Sequence, residues 1–335
     1  MLPPPVSSGP KYKAFRRVTS PRKRVLDALL SRSRATNLAI LLLAFLCGIS
    51  LLCNVRFYAR NSLREGSAML ATISRPNALA DLDHLVVVPC HAIWQGGDPS
   101  SRLNEEDWIL EPYQKGGKRV AAFFKHIEKG VELARQDARS LLIFSGGQTR
   151  LSSSTTEAES YMRLAMRTEL LHASNSDPVF RRVTTENYAL DSYQNLLFAV
   201  ARFREFTGHF PERITVIGYE FKRMRFTQLH RAAIRWPEAK FRYIGVDPDE
   251  GHSPSAEQGE RRNGYLPYSL DKYGCHSVLL SKRLQRNPHS RFHSYYVTSP
   301  ELATLFDWCP SASEGSLGES TLFNEVLPWD HLFIG

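Results

Sequence analysis

The chain lacks the short signatures that identify most nucleotide-dependent and metal-dependent enzymes. Its 335 residues contain no Walker loop, no Gly-x-Gly-x-x-Gly fingerprint, no Gly-x-Ser-x-Gly elbow and no zinc-type spacing among five cysteines. It also has no Asn-x-Ser/Thr acceptor for glycosylation, an absence that neither supports nor excludes a secretory location. The function must therefore be argued from residues that the fold brings together.

The excess of basic over acidic residues is confined to the N-terminal part of the chain. The formal net charge is +9, but residues 1–64 carry twelve Lys or Arg against one acidic residue. The remaining residues hold 31 basic and 33 acidic side chains. A nearly neutral body lacks the electrostatic footprint of a DNA-binding or RNA-binding protein, so we expect no nucleic-acid partner.

One long segment has no charged residue at all. Residues 38–55 are long enough to cross the lipid bilayer as a helix, with nine Lys or Arg before them and three shortly after. The positive-inside rule keeps the N-terminus cytosolic and places the body in the ER or Golgi lumen. A mitochondrial membrane is the alternative, since an Arg-rich and acid-poor N-terminus also fits a mitochondrial address.

These features divide the chain into four parts. We expect a disordered basic cytosolic tail at 1–35, a signal-anchor helix at 36–56, a polar stalk at 57–80 and a folded body at 81–335. Three cysteines belong to the body, so at most one disulfide can form there. Cys275 with Cys309 is the pair that we expect in an oxidising compartment.

Short β-branched segments alternate with segments of helical periodicity in the body. The sequence predicts strands at 84–89, 140–145, 213–219 and 241–246, a weaker strand at 180–186, and helices at 120–135, 156–168, 188–206 and 224–236. Such alternation favours right-handed βαβ units and a parallel sheet. We therefore expect a Rossmann-like three-layer α/β/α body behind one transmembrane helix, with an irregular C-terminal wrap from about residue 268.

Ligands of open parallel sheets bind beyond the carboxyl ends of the strands. Polar side chains follow the predicted strands or open the predicted helices at that edge. We expect the ligand-binding residues to be Ser145, Gly146, Gly147, Asn195, Lys222 and Arg225, with Glu157 and Asp191 as catalytic acid or base.

Most of these features also have a plain structural explanation. Residues 145–147 alone are more often a turn than an anion-binding loop. Glu157 in the first turn of a helix would complement the helix dipole, and Asp191 could simply open a helix. Lys222 and Arg225 are harder to explain, because cations at a helix start oppose the dipole. We interpret that pair as prepared for an anionic ligand.

The pieces "FSGGQT", "TEAESYM" and "LDSYQNLLFA", followed by a strand and a Lys-x-x-Arg helix start, resemble one known family. It is the family catalogued as domain of unknown function 218, which includes SanA/YdcF-like envelope proteins. The resemblance covers about residues 85–246 and implies a Rossmann-like α/β/α fold, often behind a membrane anchor, with these site residues in one cleft. Lys222 stands where bacterial members often carry histidine, a departure that bears on any histidine-dependent proton transfer.

The resemblance also implies a nucleotide-like ligand, S-adenosylmethionine included, and a role in envelope or glycan metabolism of the secretory pathway. Three functions stay open: an anchored enzyme acting on an anionic substrate, a binding protein without turnover, and a structural membrane protein. An enzyme dependent on S-adenosylmethionine is a further alternative. Opposed acidic and basic pairs favour the enzyme, whereas the absence of a recognisable nucleophile–base pair weighs against it. The acidic segment at 247–252 predicts a solvated loop rather than a metal site.

Overall fold

The computed structural model describes residues 38–56, 77–116, 118–174, 177–248, 254–311 and 322–333. The chain divides into two units, residues 1–74 and 75–335. The predicted tail at 1–35, most of the predicted stalk and the acidic residues at 249–252 therefore lie outside the described residues.

The N-terminal unit contributes one described helix, α1 (Leu38–Arg56). It has 19 residues and a mean hydropathy of 2.6 over its most apolar window. The side chains of α1 are exposed to solvent in the isolated protein chain. This helix is long and apolar enough to cross a membrane, as the sequence predicts.

The second unit alternates strands and helices along the chain. Its strands are β1 (His84–Pro89), β2 (Ile93–Trp94), β3 (Trp108–Ile109), β4 (Ser140–Ser145), β5 (Val183–Glu186), β6 (Arg213–Gly218) and β7 (Phe241–Gly245). Its helices are α2 (Asn77–Ala80), α3 (Arg119–Gln136), α4 (Glu157–Arg167), α5 (Ser192–Thr207), α6 (Arg231–Ala233), α7 (Pro254–Glu260), α8 (Leu266–Leu270), α9 (Ser277–Gln285), α10 (Tyr295–Thr298) and α11 (Ala303–Phe306). Two π-helical turns, Arg225–His230 and Arg261–Tyr265, lead into α6 and α8.

Five strands form one parallel sheet in the order β5-β4-β1-β6-β7. The chain moves outward from β1 through β4 to β5, and then returns past β1 to build β6 and β7. The connections that leave β1 and β6 therefore diverge, which opens a crevice beyond the carboxyl ends of these neighbouring strands. The short strands β2 and β3 form a separate antiparallel pair.

Successive residues of β1 point to opposite faces of the sheet, and both faces are covered. Leu85 and Val87 pack in a core with α5 and the π-helical turn before α6. Val86 and Val88 pack in a second core with α3 and α4. All four side chains are fully buried. The unit is therefore a three-layer α/β/α structure with a parallel sheet, which confirms the predicted fold class.

Capping side chains set the starts of the two helices beside the crevice. Thr156 and Glu159 form a reciprocal capping box at the start of α4, with Thr156 as the N-cap. α5 begins at Ser192, four residues later than predicted. Asp191 causes this delay because its carboxylate accepts the amide hydrogen of Gln194 and caps the helix.

The C-terminal segment is more regular than the predicted wrap. It contains α7 to α11, and α9 is the longest of these helices. Cys275, two residues before α9, forms a disulfide with Cys309, as predicted. This bond ties both ends of the segment that carries α9, which helps to place that helix over the sheet.

Candidate functional site

A cavity of about 480 Å³ lies at the crevice beyond β1 and β6. Residues after β1, β4, β5 and β6 line it from the sheet side, and residues of α7 to α9 line it from above. Its lining includes six cationic residues (Arg119, Arg150, Lys222, Arg225, Lys282 and Arg286) and three carboxylate residues (Glu157, Asp191 and Glu260). The cavity is thus large enough for a small ligand and rich in positive charge.

Lys222 and His91 meet at the switch point between the two strands. The Lys222 Nζ lies 3.5 Å from both ring nitrogens of His91 and 5.2 Å from the ring centre of Tyr219. His91 in turn stacks on Tyr219, with ring centres 5.5 Å apart. Tyr219 thus provides one face on which the imidazole and the ammonium group are both held.

Burial disfavours positive charge on both groups. Burial, followed by the charge of nearby Arg225, lowers the pKa of Lys222 to about 7. Burial, with Lys222 as the next contributor, also holds the pKa of His91 well below its ordinary value. Near neutral pH, His91 is therefore uncharged and Lys222 is close to half protonated. An anion that enters the cavity would restore the charge on Lys222.

The second predicted cation, Arg225, already lies beside a carboxylate. Its Nε is 3.1 Å from Oε1 of Glu260, and both side chains are about one-tenth exposed, at 12% and 9%. The two atoms are in ion-pair range but do not satisfy hydrogen-bond geometry. Arg225 opens one π-helical turn and Glu260 immediately precedes the other, so this ion pair joins the two π-helical turns above the cavity.

Glu157 lines the cavity at the first position of α4. Its Oε1 accepts the hydroxyl hydrogen of Thr149 at 2.5 Å and lies 3.9 Å from an Arg150 guanidinium nitrogen. Arg150 also lies 3.2 Å from Glu111. Glu157 therefore places a carboxylate at the cavity wall, where Arg150 partly balances its charge.

The glycine loop at 145–147 lies outside the cavity lining, and the amides of Gly146 and Gly147 are used within the fold. The amide of Gly146 donates to Glu186 O at 3.0 Å, and the amide of Gly147 donates to Ala189 O at 2.7 Å. The carbonyls of both glycines accept hydrogen bonds from the first amides of α4. Because its amides are engaged and its residues lie outside the cavity lining, the loop packs closely between the start of α4 and the segment that follows β5.

The close approach explains why glycine is needed at 147. A Cβ atom built there would lie 2.7 Å from the carbonyl oxygen of Ala189, which is backbone and cannot rotate away. We expect Gly147→Ala to lower the free energy of unfolding by about 1–3 kcal/mol, measured by urea denaturation. Gly259→Ala is the control, since that helical position has open space around it and should gain about 0.5–1 kcal/mol. Equal stability of Gly147→Ala and wild type would contradict this packing argument.

Ser145, Asn195 and Asp191 form a polar layer at and below the cavity floor. The Ser145 hydroxyl donates to Glu186 at 2.7 Å and lies 3.0 Å from Asn195 Oδ1. Asp191 pairs with Arg283 Nε at 2.5 Å in addition to its capping bond. Burial raises the pKa of Asp191, but the charge and hydrogen bond of Arg283 together with the hydrogen bond from the Gln194 amide outweigh it, so the net shift of the pKa is downward. Asp191 therefore acts as a structural anion here, and Asn195 reaches the lining from this layer.

The C-terminal helix α9 and its flank supply cations that the sequence argument missed. Lys282 Nζ donates to Asn263 O at 2.8 Å, and Arg286 donates to Leu190 O at 3.0 Å. The only sequence signal was their spacing, because Lys282 and Arg286 are four residues apart and share a helix face. Without knowledge of the tertiary fold, that face looks like an ordinary solvated surface.

Comparison with known proteins gives one informative relative. No model of a known protein family matches the chain, and no solved structure matches it. The chain is 31% identical over 259 residues to a protein of Saccharomyces cerevisiae described as "Uncharacterized protein YOR238W". The aligned region covers 63% of this chain and 86% of the yeast protein. The chain therefore belongs to the same family as the yeast protein YOR238W.

Proposed function

We propose that the second unit binds an anionic small molecule that carries phosphate, of nucleotide-like size, in the cavity beyond β1 and β6. The observation that carries this proposal is the excess of positive charge in the cavity lining, which contains six cationic and three carboxylate residues. Within the lining, the cationic residues outnumber the carboxylate residues two to one. A ligand with several negative charges would provide the missing partner.

Lys222 supports this proposal most directly. Among the described residues, no carboxylate lies within ion-pair distance of Lys222, and its polar contact is the uncharged imidazole of His91. A lysine whose pKa is lowered to about 7 by burial is poorly stabilised as a cation. Such an arrangement is costly for stability and is typical of a group that is held ready for a ligand.

The chemistry of the lining favours phosphate over S-adenosylmethionine. The sulfonium of S-adenosylmethionine is positively charged and would be repelled by the excess of cations. β1 ends at Pro89 and is followed by Cys90 and His91 rather than by the glycine-rich turn of dinucleotide-binding Rossmann folds. The aromatic rings of Phe123 and Tyr219 offer an apolar wall for the uncharged part of the ligand.

Ligand binding by the full-length protein in detergent micelles tests this proposal. We expect pyrophosphate, ATP and UDP-glucose to raise the melting temperature, and S-adenosylmethionine to leave it unchanged. Arg286→Gln should weaken binding by calorimetry about tenfold, the loss of one charge-assisted contact. The matched control is Lys129→Gln, which removes a surface cation paired with Glu132. Stabilisation by S-adenosylmethionine alone would contradict the assignment of an anionic ligand.

We also propose that α1 anchors the protein in a membrane with the N-terminus in the cytosol and the body in the ER or Golgi lumen. The nine basic residues before α1 support this orientation. The disulfide between Cys275 and Cys309 fits an oxidising lumen. In intact microsomes, added protease should remove an N-terminal tag and spare a C-terminal one. Digestion of the body in intact vesicles would contradict a lumenal location, and cofractionation with mitochondria would favour the alternative membrane.

The resemblance to the domain of unknown function 218 family remains part of the proposal. The parallel sheet and the meeting of Glu157, Asn195, Lys222 and Arg225 around one cavity support it. On this basis, a role in glycan metabolism of the secretory pathway is the physiological setting that we propose. A UDP-sugar in the binding experiment is the ligand that would support this setting. A binding protein without turnover would retain the same affinities but show no chemical change in the ligand.

A further inference from the structure

A serine and a histidine face each other at the cavity. Ser192 Oγ lies 2.8 Å from Nε2 of His230, although the two residues are 38 positions apart in the chain. Ser192 is among the residues that line the cavity. No sequence motif revealed this contact, and a serine hydroxyl beside an imidazole nitrogen is the arrangement that a nucleophile and its base require.

His230 is held as an uncharged base. It ends the π-helical turn Arg225–His230 and is fully buried. The rings of Phe226 and Tyr268 pack against its imidazole edge to face, with ring centres 5.1 and 4.5 Å away. Burial, followed by the charge of Arg225, holds the pKa of His230 well below its ordinary value.

The second nitrogen of His230 has no hydrogen-bond partner in the described part of the chain. In the tautomer that carries its proton on this Nδ1, the lone pair of Nε2 faces the Ser192 hydroxyl. A buried polar group without a partner is costly, which argues that the pair is retained for a reason other than stability. The aromatic packing holds the ring with Nε2 toward Ser192, and Ser192 is the member of the pair that lines the cavity.

Ser192 is also placed where a negative oxygen is favoured. It is the first residue of α5, a helix of 16 residues whose N-cap is Asp191. The positive end of the helix dipole lies at this position and stabilises developing negative charge on the serine oxygen. The Ser192 hydroxyl therefore lies beside the His230 imidazole, at the positive end of the α5 helix dipole and at the cavity.

We propose that Ser192 is a nucleophile for phosphoryl transfer, with His230 as its general base, acting on a phosphate ester or anhydride; this rests on the proposed anion site. Ser192 Oγ attacks phosphorus, and a P–O(Ser) bond forms as the bond to the leaving oxygen breaks. The serine proton passes to His230 Nε2 and then to the leaving oxygen. Water hydrolyses the phosphoserine in a second step, which releases inorganic phosphate and restores the serine.

The surroundings favour phosphoryl transfer over acyl transfer. When His230 takes the serine proton, it becomes a buried cation without a carboxylate on Nδ1. A phosphate dianion in the cavity would compensate that charge, whereas a neutral ester would not. The cations Lys222, Arg225 and Arg286 in the same lining would neutralise the oxygens of the transferred group.

The test uses full-length protein in micelles with p-nitrophenyl phosphate, ATP and p-nitrophenyl acetate as probes. We expect hydrolysis of a phosphate probe and a phosphoryl group on Ser192 by peptide mass spectrometry. Ser192→Ala should abolish the phosphoserine and the turnover, and His230→Gln should slow turnover by about 10²–10⁴-fold. Both variants should bind ATP as wild type does. The control is Ser299→Ala, which removes another buried serine hydroxyl that contacts α5 through Ala201 O and should leave turnover unchanged.

The outcomes separate this inference from the proposed function. Binding of ATP or pyrophosphate without any phosphate release would overturn the nucleophile assignment and leave the anion site intact. Equal turnover in Ser192→Ala and wild type would overturn it as well. Hydrolysis of the acetate ester alone would replace phosphoryl transfer by acyl transfer. Absence of binding by all phosphate probes would overturn both proposals.

Discussion

Replacement of Lys222 by methionine is expected to weaken binding of a phosphate-bearing ligand by about ten- to a hundredfold, the loss of one or two charge-assisted contacts. The same change should raise the stability of the free protein. Lys222 is held in protein surroundings that lower its pKa to about 7, so the folded state disfavours its charge. Removal of an unpaired buried cation should therefore stabilise the fold by about 1–4 kcal/mol.

The stability gain should depend on pH in one direction. The pKa of Lys222 is lower in the folded protein than its ordinary value of 10.5, so the unfolded chain binds more protons between about pH 7 and pH 10.5. The destabilisation of the fold by Lys222 is therefore complete below about pH 7, and it decreases as pH rises towards 10.5. Urea denaturation of wild type and Lys222→Met at pH 6 and pH 9.5 measures this difference. A loss of stability in Lys222→Met at pH 6 would contradict the assignment of Lys222 as a strained cation.

Replacement of Asp191 by alanine is expected to destabilise the protein by about 3–5 kcal/mol, because it leaves a buried guanidinium without its partner. The side chains of Asp191 and Arg283 are 7% and 15% exposed, and their ion pair joins α5 to α9. Asp191→Ala also removes the N-cap of α5, which contributes about 1 kcal/mol. Asp191→Asn keeps capping ability, so comparison of the two variants separates the cap from the ion pair.

The double variant Asp191→Asn with Arg283→Met should recover much of the lost stability, since neither charge remains buried. Thermal unfolding of the wild type, the two single variants and the double variant completes a double-mutant cycle, which measures the coupling energy of the ion pair. The lowered pKa of Asp191 means that its contribution is present above the ordinary value of 3.8 and is lost as pH falls below it. If Asp191→Asn lost turnover while keeping full stability, the structural role would be wrong and the catalytic role first predicted for Asp191 would be favoured.

The sequence predicted the scaffold well because local patterns determine it. The strands at 84–89 and 140–145 have the predicted bounds, since short β-branched segments buried on both faces leave little choice of register. The α3 helix matches its prediction within about a residue at each end, because its apolar side chains recur with helical period. The predicted helix at 224–236 contains the π-helical turn Arg225–His230 instead of regular helix throughout. The hydrogen bonds of a π-helical turn span one residue more than those of an α-helical turn. The periodicity of apolar residues in the sequence does not reveal this difference.

The site was harder to predict because its parts come from distant segments. Glu157, Lys222 and Arg225 were identified, and they line the cavity because strand ends of a parallel sheet share one edge. The sequence predicted a ligand-binding glycine loop, but it could not show that Ala189 O and Glu186 O use the amides of this loop. The pairing of Ser192 with His230 and the position of α9 depend on tertiary packing, for which one sequence carries no local signal.

Proton uptake on ligand binding tests the central claim most directly. Calorimetry of ATP binding at pH 8 in two buffers of different ionisation enthalpy measures it, with Lys222→Arg as the matched variant that stays charged. Because Lys222 has a pKa of about 7 in the free protein and would be protonated beside phosphate, wild type should take up close to one proton more than Lys222→Arg. Equal proton uptake by the two proteins, or no binding of ATP by wild type, would contradict the account of this cavity as an anion site built around Lys222.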